Sequence, residues 1–255
     1  MSHSPWTGNQ PEPPAELPPP PVSVHMAIPL DKPRWSYFIL GAIVLVALLV
    51  EVLGLDALFV YGAKINAAIA AGQWWRLLTP MFLHAGIWHL FFNVYALFQL
   101  GPETERLFNQ QRFLVIYFLS GLYASLASYA FTTAPSVGAS GAIFGLVGAL
   151  IAYMRRYRQF FGRSGQQYLL NMLVIVVVNF VLGAVQPGID NWAHLGGLVA
   201  GFVIGSLLLP EYALPTHMDE AVLRDVSSRQ RVWLVTAVGL LGVAAGVVLV
   251  TLLRG

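Results

Sequence analysis

Seven apolar segments run through this chain of 255 residues, and they restrict its possible folds more than any other feature. A helix needs roughly 20 apolar residues to span the hydrocarbon core of a bilayer. Charged residues make up only 10% of the chain, against about 25% in soluble domains, so charges alone cannot cover its surface. The pattern predicts an all-α membrane protein. The segments are residues 37–53, 86–100, 113–131, 141–154, 168–185, 192–209 and 232–253.

The N-terminal residues differ from the rest of the chain. Residues 1–34 hold ten of the sixteen prolines, which predicts a disordered cytoplasmic tail with polyproline-II character. The net charge of +2 gives no reason to expect a nucleic-acid partner, and the lack of cysteine excludes disulfides and thiolate metal sites. The predicted divisions are the tail at 1–34, a six-helix core at 35–209, a cytoplasmic linker at 210–231 and a seventh transmembrane helix at 232–255.

Basic residues set the predicted orientation. If the tail is cytoplasmic and the segments alternate, eleven basic residues fall on the inner side, and only Lys64, Arg76 and Arg254 fall on the outer side. This excess follows the positive-inside rule and predicts an inner N-terminus and an outer C-terminus. The inner residues are Lys32, Arg34, Arg106, Arg112, Arg155, Arg156, Arg158, Arg163, Arg224, Arg229 and Arg231.

The outer connection at residues 55–85 is too apolar for a flexible loop, and Gly62, Gly72 and Pro80 interrupt it too often for a clean span. With Trp74 and Trp75 beside one another, it predicts short helices that lie in the membrane interface.

Arg76 follows these tryptophans. It either fixes the outer connection through hydrogen bonds or contacts lipid phosphates, and the anchoring tryptophans favour the structural role.

Polar side chains in three of the segments indicate function, because such groups are costly inside a bilayer. His89 and Asn93 lie in the second segment. Ser140 opens the fourth segment, and His194 lies near the start of the sixth. These segments all descend from the outer side in the predicted topology. We therefore expect the four side chains to meet at one depth near the outer surface.

Serine and histidine at this depth point to nucleophilic catalysis. A serine hydroxyl needs a base to remove its proton, so Ser140 would be the nucleophile and His194 the base. The only carboxylate in the segments is Glu51, near the end of the first one, so no third acid is evident and a dyad is indicated rather than a triad. The Ser140 N–H at a helix start, with His89 and Asn93, would supply donors to an oxyanion. The histidine spacing predicts no metal site, and no cofactor is indicated.

Glycines are placed to bring the fourth and sixth segments close together. Gly141 and Gly145 form one small-xxx-small pair, and Gly197 and Gly201 form another. A Ser–His hydrogen bond between the two helices requires such an approach. Gly138 precedes the serine in a Gly-x-Ser-Gly tetrapeptide, which alone is a weak signal in a glycine-rich chain.

Each of these residues also has a purely structural interpretation. A serine in a membrane helix often bonds back to its own backbone, and Asn93 could join two helices. A histidine at a helix end can lie at the headgroup level without a role in chemistry. The combination of nucleophile, base and donors on three helices favours catalysis.

The sequence resembles the rhomboid family of intramembrane serine proteases. That resemblance covers about residues 37–209 and extends to a seventh helix after the six-helix core. Phe144 stands where some members have tyrosine, and its ring could still pack on His194. The matching positions are His84, His89 and Asn93, Gly138-Ala-Ser140-Gly141, Ala193-His194 with Gly197 and Gly201, Trp75-Arg76, and Glu105.

The resemblance implies a function. It implies that the core is catalytic, with Ser140 as nucleophile, His194 as base, and His89 and Asn93 in the oxyanion hole. Substrates would be single-pass or other membrane proteins, cut in or beside a transmembrane segment. The expected location is a bacterial inner membrane, with the site open to the outer side. The sequence carries no signal for an oligomeric state.

Three other functions fit parts of the pattern. A catalytically silent relative would bind membrane clients, although both Ser140 and His194 are present here. A transporter or channel could use intramembrane His and Asn, yet no internal repeat is found. A structural scaffold would leave the polar residues of three helices unexplained.

Overall fold

The computed structural model describes residues 27–186, 188–215 and 222–254, and it confirms the predicted all-α membrane fold. Most of the predicted tail and part of the 210–231 linker lie outside these residues. Two single-turn 3-10 helices at Trp74–Leu77 and Thr79–Phe82 complete the helical elements. The α-helices are α1 (Trp35–Glu51), α2 (Asp56–Gly62), α3 (Asn66–Ala70), α4 (Ile87–Phe108), α5 (Gln110–Phe131), α6 (Ser140–Val185), α7 (Asn191–Leu207) and α8 (Arg229–Arg254).

The fourth and fifth predicted segments lie in the two halves of α6, which follow each other across a break within its 46 residues. Its backbone leaves helical geometry at Tyr157 and at Gly162, where φ is +52°. The second half returns toward the start of the helix, because the rings of Phe144 and Phe180 lie 5.8 Å apart. Gly162 permits this reversal, since positive φ is strained for residues with a Cβ.

Length and apolar composition mark α5, α6 and α8 as candidate membrane spans among the described residues. The bent pair α1 and α2, which turn by 117°, adds a fourth candidate if it is one span. Helix α7 is apolar but has 17 residues, and α4 continues past the predicted segment through Glu103, Glu105 and Arg106. The seven-span topology therefore stays a prediction.

Helices α5, α6 and α7 form the tightest part of the bundle. Helix α8 rests on α5 through glycines, so that added Cβ atoms on Gly239 and Gly246 would overlap or press on leucines of α5. Helices α4, α6 and α7 all begin at one end, here called the Ser140 end. Helices α1, α5 and α8 begin at the other, the Glu105 end.

The connection at residues 55–85 contains α2, α3 and both 3-10 helices, and it lies at the Ser140 end. Arg76 is 4% exposed and sits at its centre. Its guanidinium donates to the carbonyl oxygens of Val60 at 2.9 Å and Ala63 at 2.8 Å, and to Gln73 Oε1 at 2.7 Å. The side chain thus ties together three parts of the connection.

At the Glu105 end, one buried carboxylate holds the start of α1. Glu105 accepts hydrogen bonds from the backbone N–H groups of Arg34 and Trp35, each at 2.9 Å, and of Ser36 at 2.8 Å. These N–H groups have no partner inside the helix, and the negative charge also suits the helix N-terminus.

A small hairpin lies at the same end, in a linker for which no structure was predicted. Its strands are β1 (Tyr212–Ala213) and β2 (Arg224–Asp225), paired antiparallel. The buried Arg112 of α5 forms an ion pair of 2.7 Å with Asp225. The hydroxyls of Tyr153 and Tyr212 lie 2.9 Å apart. The hairpin is therefore fastened to α5 and α6 just before α8 begins.

Candidate active site

Ser140 and His194 meet at the Ser140 end of the bundle. Ser140 is the first residue of α6, and His194 is the fourth of α7. The distance between Ser140 Oγ and His194 Nε2 is 2.9 Å, which is a hydrogen bond. His194 is 7% exposed and Ser140 is half-buried. A serine hydroxyl and an imidazole nitrogen are thereby held within proton-transfer distance.

Backbone contact between α6 and α7 makes this approach possible. An added Cβ on Gly197 would overlap the carbonyl oxygen of Gly141, and one on Gly201 would overlap that of Gly145. The two small-xxx-small pairs therefore face each other directly. On the other side of α6, added Cβ atoms on Gly141 and Gly145 would meet Ala124 and Ser120 of α5. No larger residue fits at these four positions without moving a helix.

The His194 ring is oriented by an aromatic neighbour. The Phe144 ring stacks on it with a centroid distance of 4.4 Å and an interplanar angle of 17°. Phe180 approaches the same imidazole edge-on at 6.4 Å. His194 Nδ1 is buried and has no hydrogen-bond partner among the described residues. In the part of the chain that the structure describes, no carboxylate accepts a hydrogen bond from this nitrogen.

Asp190 is the nearest carboxylate along the chain, and it serves the helix rather than the ring. It is the N-cap of α7, and its Oδ1 accepts from the Ala193 N–H at 3.0 Å. Its other oxygen accepts from the Ser128 hydroxyl of α5. An aspartate just before an apolar run is a helix-start signal, so this cap was visible in the sequence. No signal in the sequence indicated that Ser128 would be its hydrogen-bond partner.

Gly138 keeps a space open between His89 and Ser140. An added Cβ on Gly138 would lie 2.7 Å from His89 Nε2 and 3.7 Å from Ser140 Oγ. The φ of Gly138 is +127°, which residues with a Cβ rarely adopt. A carbonyl oxygen entering this space would face the His89 ring nitrogen and the free N–H groups at the start of α6.

Asn93 lies one turn further along α4, and it is 5% exposed. Its Nδ2 donates to the His89 carbonyl at 2.8 Å, while its Oδ1 has no partner among the described residues. An amide group carries two N–H donors, so one remains for another acceptor. The structure thus places Asn93 on the same face as His89, with donor capacity unused.

His84 supports the residue before the serine. Its ring lies 5.2 Å from that of His89, and its Nε2 accepts from the Ala139 N–H at 3.4 Å. Burial, aided by the nearby His89, lowers the pKa of His84 to about 4. The neutral imidazole that results can accept this hydrogen bond. The sequence singled out His84 by its resemblance alone and gave it no task.

Two cavities lie away from this site. One of about 430 Å³ lies at the Glu105 end, beside Arg112 and the hairpin. The other, of about 850 Å³, is an apolar groove between α5, α7 and α8. Ser140 and His194 line neither of them.

Comparison with known proteins adds an independent observation. The family model described as the rhomboid domain matches residues 71–211, more than half of the chain. Rhomboid protease GluP of Bacillus subtilis is 42% identical over 181 residues, which cover 69% of this chain and 35% of that protein. RHOMBOID-like protein 9, chloroplastic, of Arabidopsis thaliana is 38% identical over 63% of this chain and 37% of its own length.

A shorter relative is matched over most of its length. Putative rhomboid protease YdcA of Bacillus subtilis is 36% identical over 56% of this chain and 71% of that protein. By contrast, the chain spans little more than a third of GluP and of RHOMBOID-like protein 9. The similarity to the longer relatives therefore concerns one part of each of them.

Proposed function

The chain belongs to the rhomboid family, and on that premise we propose that it is an intramembrane serine endopeptidase. The observation that carries the proposal is the 2.9 Å contact between Ser140 Oγ and His194 Nε2. Its substrates are membrane-anchored proteins with a transmembrane segment. Ser140 and His194 form the catalytic dyad, and the core at 35–209 is the catalytic unit.

The first half of the reaction forms an acyl-enzyme. His194 Nε2 accepts the Ser140 hydroxyl proton as Oγ attacks the carbonyl carbon of the scissile peptide bond. The resulting oxyanion enters the space beside Gly138, where the Ser140 N–H, His89 and Asn93 donate to it. The C–N bond then breaks, and Nε2 returns its proton to the leaving amine.

Water completes the reaction. His194 removes a proton from a water molecule, the hydroxide attacks the acyl carbon, and the Ser140 oxygen leaves with the proton from the imidazole. The half-buried position of Ser140 at one end of the bundle supports such access to water.

Substrate choice follows from the peptide bond itself. Inside a helix this bond is hydrogen-bonded and shielded, so the substrate must unwind locally before Ser140 can attack. Glycine and proline weaken helices, and small or helix-breaking residues near the cut should favour cleavage.

The orientation belongs to the same proposal. The cytoplasmic tail, the linker and the Glu105 end lie on the inner side of a bacterial cell membrane, and the Ser140 end faces outward. The excess of arginines predicted for the inner side supports this orientation. Residues 55–85 then lie in the outer interface, and α8 is the seventh transmembrane helix.

The test is cleavage of a reporter with one transmembrane helix that carries small residues near its outer end. Purified wild type should cut it and react with a fluorophosphonate probe, and Ser140→Ala should do neither while remaining folded. Ser206→Ala is the matched control, because Ser206 Oγ only donates to the Phe202 carbonyl of its own helix. Cleavage by pure Ser140→Ala would disprove the nucleophile assignment. Wild type inactive on several reporters and unlabelled would favour a silent, client-binding relative.

A further inference from the structure

The segment that leads into Ser140 is fastened to the connection at residues 55–85. Residues 132–139 join the end of α5 to the start of α6, and Ser140 follows directly. Lys64 pairs with Ser136 through two backbone hydrogen bonds, 3.0 Å from the Lys64 N–H and 3.1 Å from the Ser136 N–H. This isolated bridge is the first of several links.

The Lys64 side chain makes the second link. It is 1% exposed, although lysine is rarely buried to this extent. Its ammonium donates to the Ala134 carbonyl at 2.8 Å and to Asn66 Oδ1 at 3.0 Å. A buried cation is tolerated where oxygen acceptors replace its water shell. Of the two acceptors here, Ala134 belongs to the 132–139 junction and Asn66 contacts the junction through Thr132.

Asn66 makes the third link and also closes the end of α5. Its Nδ2 donates to the Thr132 carbonyl at 2.8 Å and to the Tyr129 carbonyl at 3.4 Å. Carbonyl groups at a helix C-terminus lack partners within the helix, so an external amide that reaches them fixes where the helix stops. Lys64 in turn holds the Asn66 side chain by its oxygen.

The same connection also contacts the last residues before the serine. The Gly138 N–H donates to the Pro80 carbonyl at 2.9 Å, and the Ala139 N–H donates to His84 Nε2 at 3.4 Å. The junction is thus held near both its ends, by Lys64 and Asn66 at its start and by Pro80 and His84 at its finish.

From these contacts we propose that Lys64 and Asn66 are positioning residues that fix residues 132–139, and with them the place of Ser140 opposite His194. Neither residue touches the reacting atoms. The proposal rests on the serine protease function proposed above, and it assigns part of that function to the outer connection.

The electrostatic setting agrees with this role. Burial lowers the pKa of Lys64 to about 8, partly opposed by Asp190, while Arg254 lowers it further. At neutral pH the amine is therefore mainly an ammonium, with three N–H donors for its neighbouring acceptors. The negative charge of Asp190, which caps the helix α7 that carries His194, favours the ammonium form of Lys64.

The experiment compares the only two lysines of the chain. Lys64→Met keeps an unbranched apolar side chain and removes the ammonium. Lys32→Met is the matched control, since Lys32 is exposed and lies at the Glu105 end. A shift of Ser140 by about 1 Å can lower the rate about 100-fold, so we expect kcat of Lys64→Met to fall at least tenfold. KM should stay within about twofold of wild type, because binding of the transmembrane helix is unchanged.

Two further variants separate positioning from folding. Asn66→Ala removes the bonds to Thr132 and Tyr129, and it should lower kcat in the same way. The chain has no cysteine, so the buried Lys64→Cys thiol can be alkylated selectively with 2-bromoethylamine while the protein is unfolded in denaturant, and refolding into detergent then rebuilds a lysine-like side chain. Mass spectrometry verifies the modification, and the modified protein should regain most of the lost kcat. Hydrogen exchange should quicken at residues 134–139 in Lys64→Met.

The outcomes distinguish this inference from the function on which it rests. If wild type neither cleaves nor reacts with the probe, the protease proposal fails. If wild type cleaves and folded Lys64→Met and Asn66→Ala both keep wild-type kcat, the positioning role is overturned. It is also overturned if aminoethylation restores thermal stability without restoring kcat.

Discussion

The two ends of the bundle differ in how many of their buried polar side chains lack a hydrogen-bond partner. At the Glu105 end, the Glu105 carboxylate accepts three backbone hydrogen bonds, and Arg112 binds Asp225, Ser227 and the Phe108 carbonyl. At the Ser140 end, buried atoms of His84, Asn93 and His194 have no partner among the described residues. Asn191 Oδ1 at the Ser140 end also lacks a partner, and the exceptions elsewhere are Ser36 Oγ at the Glu105 end and the Tyr117 hydroxyl of α5.

This difference separates stability from chemistry. A buried polar group without a partner lowers the stability of the fold. Several such groups in one place therefore indicate a site whose residues serve function at the expense of stability. The satisfied groups at the Glu105 end hold α1, α5 and α8 together. Substitutions at that end should therefore reduce the free energy of unfolding, while substitutions at the Ser140 end should reduce the rate of cleavage. Four predictions test this division.

Gly197→Ala should have the largest effect, because it would press a methyl group on the Gly141 carbonyl and move the two helices of the dyad apart. We expect activity to fall more than about 100-fold and stability to fall by about 1–3 kcal/mol. Probe labelling and thermal unfolding measure the two effects. Gly41→Ala is the control, since nothing lies within 4 Å of an added Cβ there. Wild-type labelling of Gly197→Ala would show that this contact does not set the Ser–His distance.

Asn93→Ala should slow cleavage about 100-fold and leave it measurable, as expected for the loss of one oxyanion donor. Single-turnover kinetics on the transmembrane reporter isolate the chemical step. Asn179→Ala is a matched control, because Asn179 makes the same 2.8 Å bond to the carbonyl four residues earlier. If Asn93→Ala and Asn179→Ala react equally fast, the oxyanion role of Asn93 is wrong.

Glu105→Gln should lower the stability of the fold without changing the rate of cleavage. Replacing a carboxylate that accepts three N–H bonds should lower the free energy of unfolding by about 1.5–3 kcal/mol. The kcat per folded molecule should match wild type. Glu103→Gln, on the same helix and half-buried, controls for loss of one negative charge. A tenfold fall in kcat for folded Glu105→Gln would break the division between the two ends.

Asp225→Asn should have the smallest effect, a change in the pH dependence of thermal stability that is visible only at acidic pH. Burial alone would raise the pKa of Asp225, but the bonds from Arg112 and Ser227 outweigh it and lower that pKa below the ordinary 3.8. Its contribution to stability is then complete above the ordinary value and is lost as the pH falls through the lowered one. Thermal unfolding between pH 7 and pH 3 should show this loss in wild type and not in Asp225→Asn. Parallel curves for the two proteins would contradict it.

Much of the architecture could be read from the sequence. The apolar segments predicted helices that the structure contains, and Phe144 packs on His194 as the family resemblance suggested. The prediction that Ser140 and His194 lie at the same depth did not require the paths of the loops to be known. Ser140 and His194 lie at the starts of their helices, and their side chains meet.

Contacts that depend on the path of loops could not be predicted. The bond from Ser128 to Asp190 and the links from Lys64 and Asn66 join residues more than 60 positions apart, without any periodic signal. The short, direct reversal between the two halves of α6 was hidden as well, because it depends on backbone angles at Tyr157 and Gly162. Sequence patterns report which faces are apolar, and they are silent about which loop meets which.

The stacking of Phe144 on His194 has a consequence for the working conditions of the site. In many enzymes a carboxylate orients the histidine base. That interaction weakens when salt screens the carboxylate charge or acid neutralises it. Here a flat hydrocarbon face stands at 4.4 Å from the imidazole, and it carries no charge to screen or titrate. The orientation of the His194 ring is then set by the shape of its neighbour, and it should hold as ionic strength and acidity vary.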